Sequence, residues 1–162
     1  MRVAILFVML ILTFAAVACG DEEAHVTDSE ARFLALGDSY TIGESVREGE
    51  RWPAQLGALL RGDGVVVTEP EYIARTGWTT DELASAIARA NPQGPYALVT
   101  LAIGVNNQYR GRGLDEYRTQ FRELLERAIV FAGGEPGRVV VLSIPDWGVT
   151  PFAVGQDGPR IA

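Results

Sequence analysis

Phe33-Leu34-Ala35-Leu36-Gly37-Asp38-Ser39 decides how the chain folds: an uninterrupted apolar run that stops at a glycine and runs straight into two turn-forming polar residues. A run this short has no room for a helical period. It suits a strand buried on both faces, with the polar residues just beyond its carboxyl end. Downstream, Trp52 to Leu60 reads as a helix with Pro53 in its first turn, where a missing N–H does no harm. Val65-Val66-Val67-Thr68 is β-branched throughout and is expected as the second strand. Thr79-Thr80-Asp81-Glu82 opens a helix running to about Ala90, with hydroxyls for caps and acids at the positive end of the dipole. Tyr96 to Ile103 is the third strand, and Val139 to Leu142 the fourth. Between them, Leu114 to Ala132 carries Leu114, Tyr117, Phe121, Leu124, Leu125, Ala128 and Ile129 at helical spacing. That stripe is expected to be core.

Continuous apolar strands alternating with helices imply a parallel sheet covered on both faces. In such sheets ligands sit beyond the carboxyl ends of the strands. The loops that matter therefore follow Leu36, Thr68, Ile103 and Ile144. The first carries Asp38 and Ser39; the second leads through Arg75-Thr76-Gly77-Trp78-Thr79-Thr80; the third is Gly104-Val105-Asn106-Asn107-Gln108-Tyr109. Together they offer a hydroxyl, a glycine and an amide donor. That suits one half of an acyl-transfer site: Ser39 exposed on a tight turn, and the N–H groups of Ser39 and Gly77 with the Asn106 amide aimed at an oxyanion. Each piece also has a plain reading. Gly-Asp-Ser can be an ordinary turn, Gly77 a helix entry, and Asn106-Asn107 a loop satisfying its own backbone. Asp146 and Trp147, after the fourth strand, are expected to shape a cleft wall. Trp78 and Tyr109 could line an acyl or sugar pocket.

Composition narrows the partners. The 162 residues carry a formal charge of −7 and no lysine, with no basic cluster that would suit nucleic acid. No Gly-x-Gly-x-x-Gly follows the first strand and no phosphate loop occurs. Thr41 breaks the Gly-x-Ser-x-Gly of a nucleophile elbow. One histidine, His25, and one cysteine, Cys19, give no metal-ligand spacing, so no metal or cofactor is expected.

Three of these blocks, in order and at successive strand ends, resemble the GDSL/SGNH hydrolases. Gly37-Asp38-Ser39 is similar to that family's first block. Gly77 sits where its second falls, and Gly104-Val105-Asn106-Asn107 follows three positions of its Gly-x-Asn-Asp. The resemblance covers Arg32 to Ala162. It implies a flavodoxin-like three-layer α/β/α sandwich and hydrolysis of a small-molecule ester or thioester through an acyl-enzyme. Ser39 would be the nucleophile; Ser39, Gly77 and Asn106 would form the oxyanion hole, and Asp38 and Asn107 the supporting loop. Two features depart from the pattern. Asn107 replaces the usual Asp, and no Asp-x-x-His follows, so the base that must take the serine proton is missing. With four strands read and the base absent, the expectation is a C-terminally truncated hydrolase domain, its last strand and helix missing. Such a chain is expected to be aggregation-prone and at least ~10³-fold slower than a full-length relative. The competing reading is a non-catalytic lipoprotein that binds acyl or glycan ligands in the same pocket.

The N-terminus points to export. Met1-Arg2 precedes an apolar run from Val3 to Ala18, shorter than the ~20 residues that cross a bilayer as a helix. Ala16-Val17-Ala18-Cys19 resembles a bacterial lipobox, in which the cysteine is acylated and becomes the new N-terminus. Residues 1–18 are thus expected to be a lipoprotein signal, 19–31 a flexible acidic tether, and 32–162 the domain. The product would be held in the cell envelope on a membrane through Cys19.

Overall fold

The computed structural model describes residues 31–155. The signal, Cys19, His25 and nearly all of the expected tether lie outside the described residues. Four strands, β1 (Phe33–Gly37), β2 (Glu71–Ala74), β3 (Leu98–Ala102) and β4 (Val139–Val141), form one sheet in the order β2-β1-β3-β4. Every pairing is parallel, with Ala35 opposite Tyr72 on one side and Thr100 on the other, and Leu101 opposite Val141. Parallel neighbours need crossovers. Helices supply them: α1 (Ser39–Ile42), α2 (Trp52–Gly62), α3 (Thr80–Ala90), α4 (Val105–Tyr109) and α5 (Leu114–Phe131).

Strand alternation sends side chains to two cores. Leu34, Leu36, Val99 and Leu101 face α3 and α5, where Leu83, Ile87, Leu124 and Ala128 are buried against them. Phe33 and Ala35 face α2, where Trp52, Leu56 and Leu60 pack. This is the three-layer α/β/α sandwich the pattern predicts. Each fully buried Leu, Ile or Phe contributes roughly 1.5–3 kcal/mol of transfer free energy, so the two faces together hold the sheet. Among the described residues no helix is long and apolar enough to cross a membrane.

Two expectations are corrected. The second strand is Glu71–Ala74, not Val65–Thr68. The β-branched run makes only a single bridge, Val67 opposite Ala31 through the Val66 carbonyl and the Thr68 N–H, while the Val65 and Val66 side chains are exposed. Strand propensity reports fit to a half-buried pleated surface, and this run lies beside Ala31, short of Phe33 where β1 begins, with Pro70 interrupting the chain ahead of β2. Leu114, counted in the core stripe, is exposed at the first position of α5.

Candidate active site

The carboxyl ends of β1, β2 and β3 deliver the three expected segments to one edge. Ser39 follows β1 directly as the first residue of α1. Asp38 caps that helix: its carboxylate accepts from the Tyr40 N–H at 3.1 Å, and the residue is buried. Burial penalises the charged form and pushes the Asp38 carboxyl up to about 6, against the opposing pull of the Tyr40 N–H. Asp38 is thus a structural support beneath Ser39.

β3 leads through Gly104 into α4. Gly104 has φ +134°, and a Cβ there would come within 2.6 Å of the Tyr117 ring and 2.7 Å of Ile144 Cδ1. Only glycine fits both the backbone and the space. Asn106 and Asn107 follow on α4 and point to different tasks. Asn107 is buried: its Oδ1 accepts from the Thr80 N–H at 3.0 Å and its Nδ2 donates to Thr80 Oγ1 at 2.8 Å. The Thr80 hydroxyl in turn donates to Gln120 on α5. An amide suits this position because it accepts from one Thr80 group and donates to the other. Asn107 therefore locks α4 onto α3.

Asn106 is half-buried and lines, with Ser39, Tyr40, Val105, Tyr109 and Trp147, a cleft of about 250 Å³. Its Nδ2 donates to the Trp78 carbonyl at 2.9 Å, which leaves the second N–H of that amide. The Gly77 turn has φ +84°, and a Cβ at Gly77 would only reach ordinary contact, 3.5 Å, with Arg110 Nη2. The left-handed backbone selects glycine here. No acceptor for the Ser39 or Gly77 N–H is found among the described residues. Gly77 is not itself a lining residue of the Ser39–Asn106 cleft, but its carbonyl accepts from Arg110 Nη2 at 2.6 Å. The turn is thereby tied to α4. Thr76, just before it, donates to Glu44 in the Ser39 loop.

Trp147 forms the cleft wall as expected, edge-on to Tyr109 with ring centroids 5.7 Å apart and its indole N–H on Gln108. Asp146 caps the turn that carries it, accepting from the Gly148 N–H. Trp78 does not line the cleft; it packs against the α3–α5 core. The sequence reading missed Arg110, Thr80 and Tyr40. The first two meet their partners across more than two dozen residues of chain, and only an i, i+4 pairing of Asn106 with Arg110 on a helix would have signalled the former. Among the described residues no group of three His, Cys, Asp or Glu is placed to hold a metal ion.

A serine at the head of the helix after β1, sharing a cleft with an asparagine amide at the carboxyl edge of a parallel sheet, is the arrangement of a doubly wound α/β protein with its candidate site at the strand ends. The chain matches the GDSL-like Lipase/Acylhydrolase family over residues 35–161, and it belongs to that family. Among solved structures it resembles AlinE4, an SGNH-hydrolase family esterase, with 23% identity and a TM-score of 0.61, over 72% of this chain and 61% of that one. It also resembles TesA (19% identity, TM-score 0.61, 80% of this chain and 69% of that one). A third likeness is to the lipase/acylhydrolase from Enterococcus faecalis (21%, TM-score 0.55, 81% and 65%). At these identities the likeness is one of fold. No curated protein matches the chain. The chain spans about three fifths of the length of AlinE4.

Proposed function

We propose that this protein is a lipid-anchored ester hydrolase whose nucleophile is Ser39. The observation that carries the proposal is Asn106 lining the same cleft as Ser39, while its amide also holds the Gly77–Trp78 turn, where the Gly77 N–H, like that of Ser39, is unengaged among the described residues. An acyl-transfer transition state needs two or three donors aimed at one developing charge, and removing one typically costs ~10²–10³ in rate. In this reading Ser39 Oγ attacks the carbonyl carbon of an ester or thioester. The oxyanion is held by the two N–H groups and the Asn106 amide, and the alcohol or thiol leaves to give an acyl-enzyme. Asp38 fixes the entry to α1, and Asn107 fixes α4.

The base is the open part. The 162 residues contain no Asp-x-x-His and no histidine besides His25. On this reading they do not supply the pair that would take the serine proton, and both acylation and deacylation are slow. The same observation favours a second reading, a non-catalytic lipoprotein that holds acyl or glycan ligands in this cleft. A fluorophosphonate probe separates the two. The hydrolase reading expects slow, stoichiometric labelling that disappears in Ser39→Ala. Absence of labelling at high probe concentration supports the binder. The envelope location is proposed from the lipobox-like Ala16-Val17-Ala18-Cys19. It expects palmitate incorporation in a bacterial host that is lost in Cys19→Ala; equal incorporation in that variant contradicts it.

A further inference from the structure

We infer that Arg110 is a positioning residue for the oxyanion donors, clamping the Gly77–Trp78 turn onto α4 so that the Gly77 N–H and the Asn106 amide act as one rigid unit. The inference rests on the reading of Ser39, Gly77 and Asn106 given above. Its basis is a pair of hydrogen bonds one helical turn apart. Asn106 lies in α4 and Arg110 caps its C-terminus four residues on, its N–H on the Asn106 carbonyl at 3.0 Å, so the two lie one helical turn apart on the same face. From that face Asn106 Nδ2 reaches the Trp78 carbonyl at 2.9 Å, and Arg110 Nη2 reaches the neighbouring Gly77 carbonyl at 2.6 Å. Two consecutive carbonyls of the turn are thus held by one side chain of this short helix and by that of its C-cap.

The geometry has a direct consequence for the donor. Gly77 sits at φ +84° with its N–H unengaged among the described residues. A glycine has the freest backbone of any residue, so nothing intrinsic keeps that N–H aimed. Locally the turn closes with one backbone bond, from the Trp78 N–H to the Arg75 carbonyl at 3.2 Å. The carbonyl of Gly77 is the other end of the same residue, and a charge-assisted bond to it restricts the rotations that would swing the N–H away. Arg110 is itself oriented: Nη1 faces Glu82 Oε2 at 3.4 Å, and that carboxylate is fixed by the Thr79 N–H at 2.9 Å. Glu82 carries its charge firmly, because the Thr79 N–H lowers its pKa. The chain Thr79–Glu82–Arg110–Gly77 therefore ties the donor turn to the first turn of α3 as well as to α4. The Glu82–Arg110 pair is exposed and adds little stability by itself. Its role is aim.

The test compares Arg110→Met and Arg110→Lys with the wild type in three measurements on the whole chain: the second-order rate of Ser39 labelling by a fluorophosphonate, the urea midpoint, and the amide position of Gly77 in a ¹H–¹⁵N spectrum. A misplacement of a donor by an ångström can cost about 10²-fold. We expect Arg110→Met to slow labelling roughly ten- to a hundredfold and to shift the Gly77 amide, with the urea midpoint close to wild type. Arg110→Lys, which can still donate one hydrogen bond, restores most of the rate and the amide position. Wild-type labelling in Arg110→Met overturns the inference while leaving Ser39 as nucleophile. So does a slowing matched by a collapse of the urea midpoint, which makes Arg110 a fold residue. A wild-type chain that does not label at all removes the reading beneath it, and the inference with it.

Discussion

Asn107→Ala tests how the site is held together. The side chain satisfies two buried groups of Thr80: the backbone N–H at 3.0 Å and the hydroxyl at 2.8 Å. Truncation leaves that N–H buried without an acceptor, at a cost of about 1–3 kcal/mol. It also removes the bond to the hydroxyl, which keeps its donation to Gln120, for a further ~0.5–1.5 kcal/mol. The expected loss is about 1.5–4.5 kcal/mol. Urea unfolding followed by tryptophan fluorescence reads it, with Trp78 and Trp147 both close to the affected elements. The midpoint falls and the slope stays constant if only stability has changed. Asn107→Asp provides the internal comparison: a carboxylate still accepts from the Thr80 N–H but cannot donate to the hydroxyl, so its loss is smaller. An Ala variant within ~0.5 kcal/mol of wild type refutes the bracing role, since that is the range of inert surface changes. An Asp variant that costs more than Ala refutes the division between the two bonds.

The buried Asp38 gives a pH signature. Its carboxyl titrates near 6 in the folded protein because burial disfavours the charge. Between about pH 4 and 6 the native state holds a proton that the unfolded chain has released, so unfolding loses protons and stability falls as pH rises through that window. Asp38→Asn should flatten this slope; a wild-type chain whose urea midpoint rises between pH 4 and 6, relative to the Asn variant, contradicts the sign. Thr100 offers the opposite direction. Its hydroxyl is buried in the middle of β3 with no hydrogen-bond partner among the described residues. Thr100→Val removes an unpaired polar group at nearly constant volume and should raise stability by about 1 kcal/mol in urea unfolding; a loss of that size would mean that the hydroxyl is in fact satisfied.

The legible parts of the chain were those where neighbouring residues determine the outcome. Phe33 to Gly37 could only be a buried strand, and the Gly-Asp-Ser after it had to lie at the sheet's carboxyl edge. α3 was readable from Thr79 to Glu82, whose cap hydroxyl and first-turn acids were expected and which the structure closes into a capping box. Where burial decides, local pattern misled. The valines at 65–67 have the stronger strand propensity, yet the register of β1 pairs Leu34 with Glu71. Trp78 looked like a cleft residue because it lies near the site loops, but it packs, partly buried, against the α3–α5 core. α1 and α4 read as loops because each is too short to show a period, and that concealed the common face of Asn106 and Arg110. Ser39, Gly77 and Asn106 were singled out because each follows a strand; the contacts of Arg110 and Thr80 were not legible, because their partners are 33 and 27 residues away.

The central claim is that Ser39 carries covalent chemistry, and the most direct measurement is peptide mapping after incubation with p-nitrophenyl acetate. These 162 residues by themselves, whose single histidine is His25, should acylate slowly and deacylate more slowly still, so the acetyl group accumulates. The account predicts one acetylated peptide, that containing Ser39, absent in Ser39→Ala and reduced when Asn106 is changed to Ala. Acetylation spread over surface residues, or equal in Ser39→Ala, would contradict it.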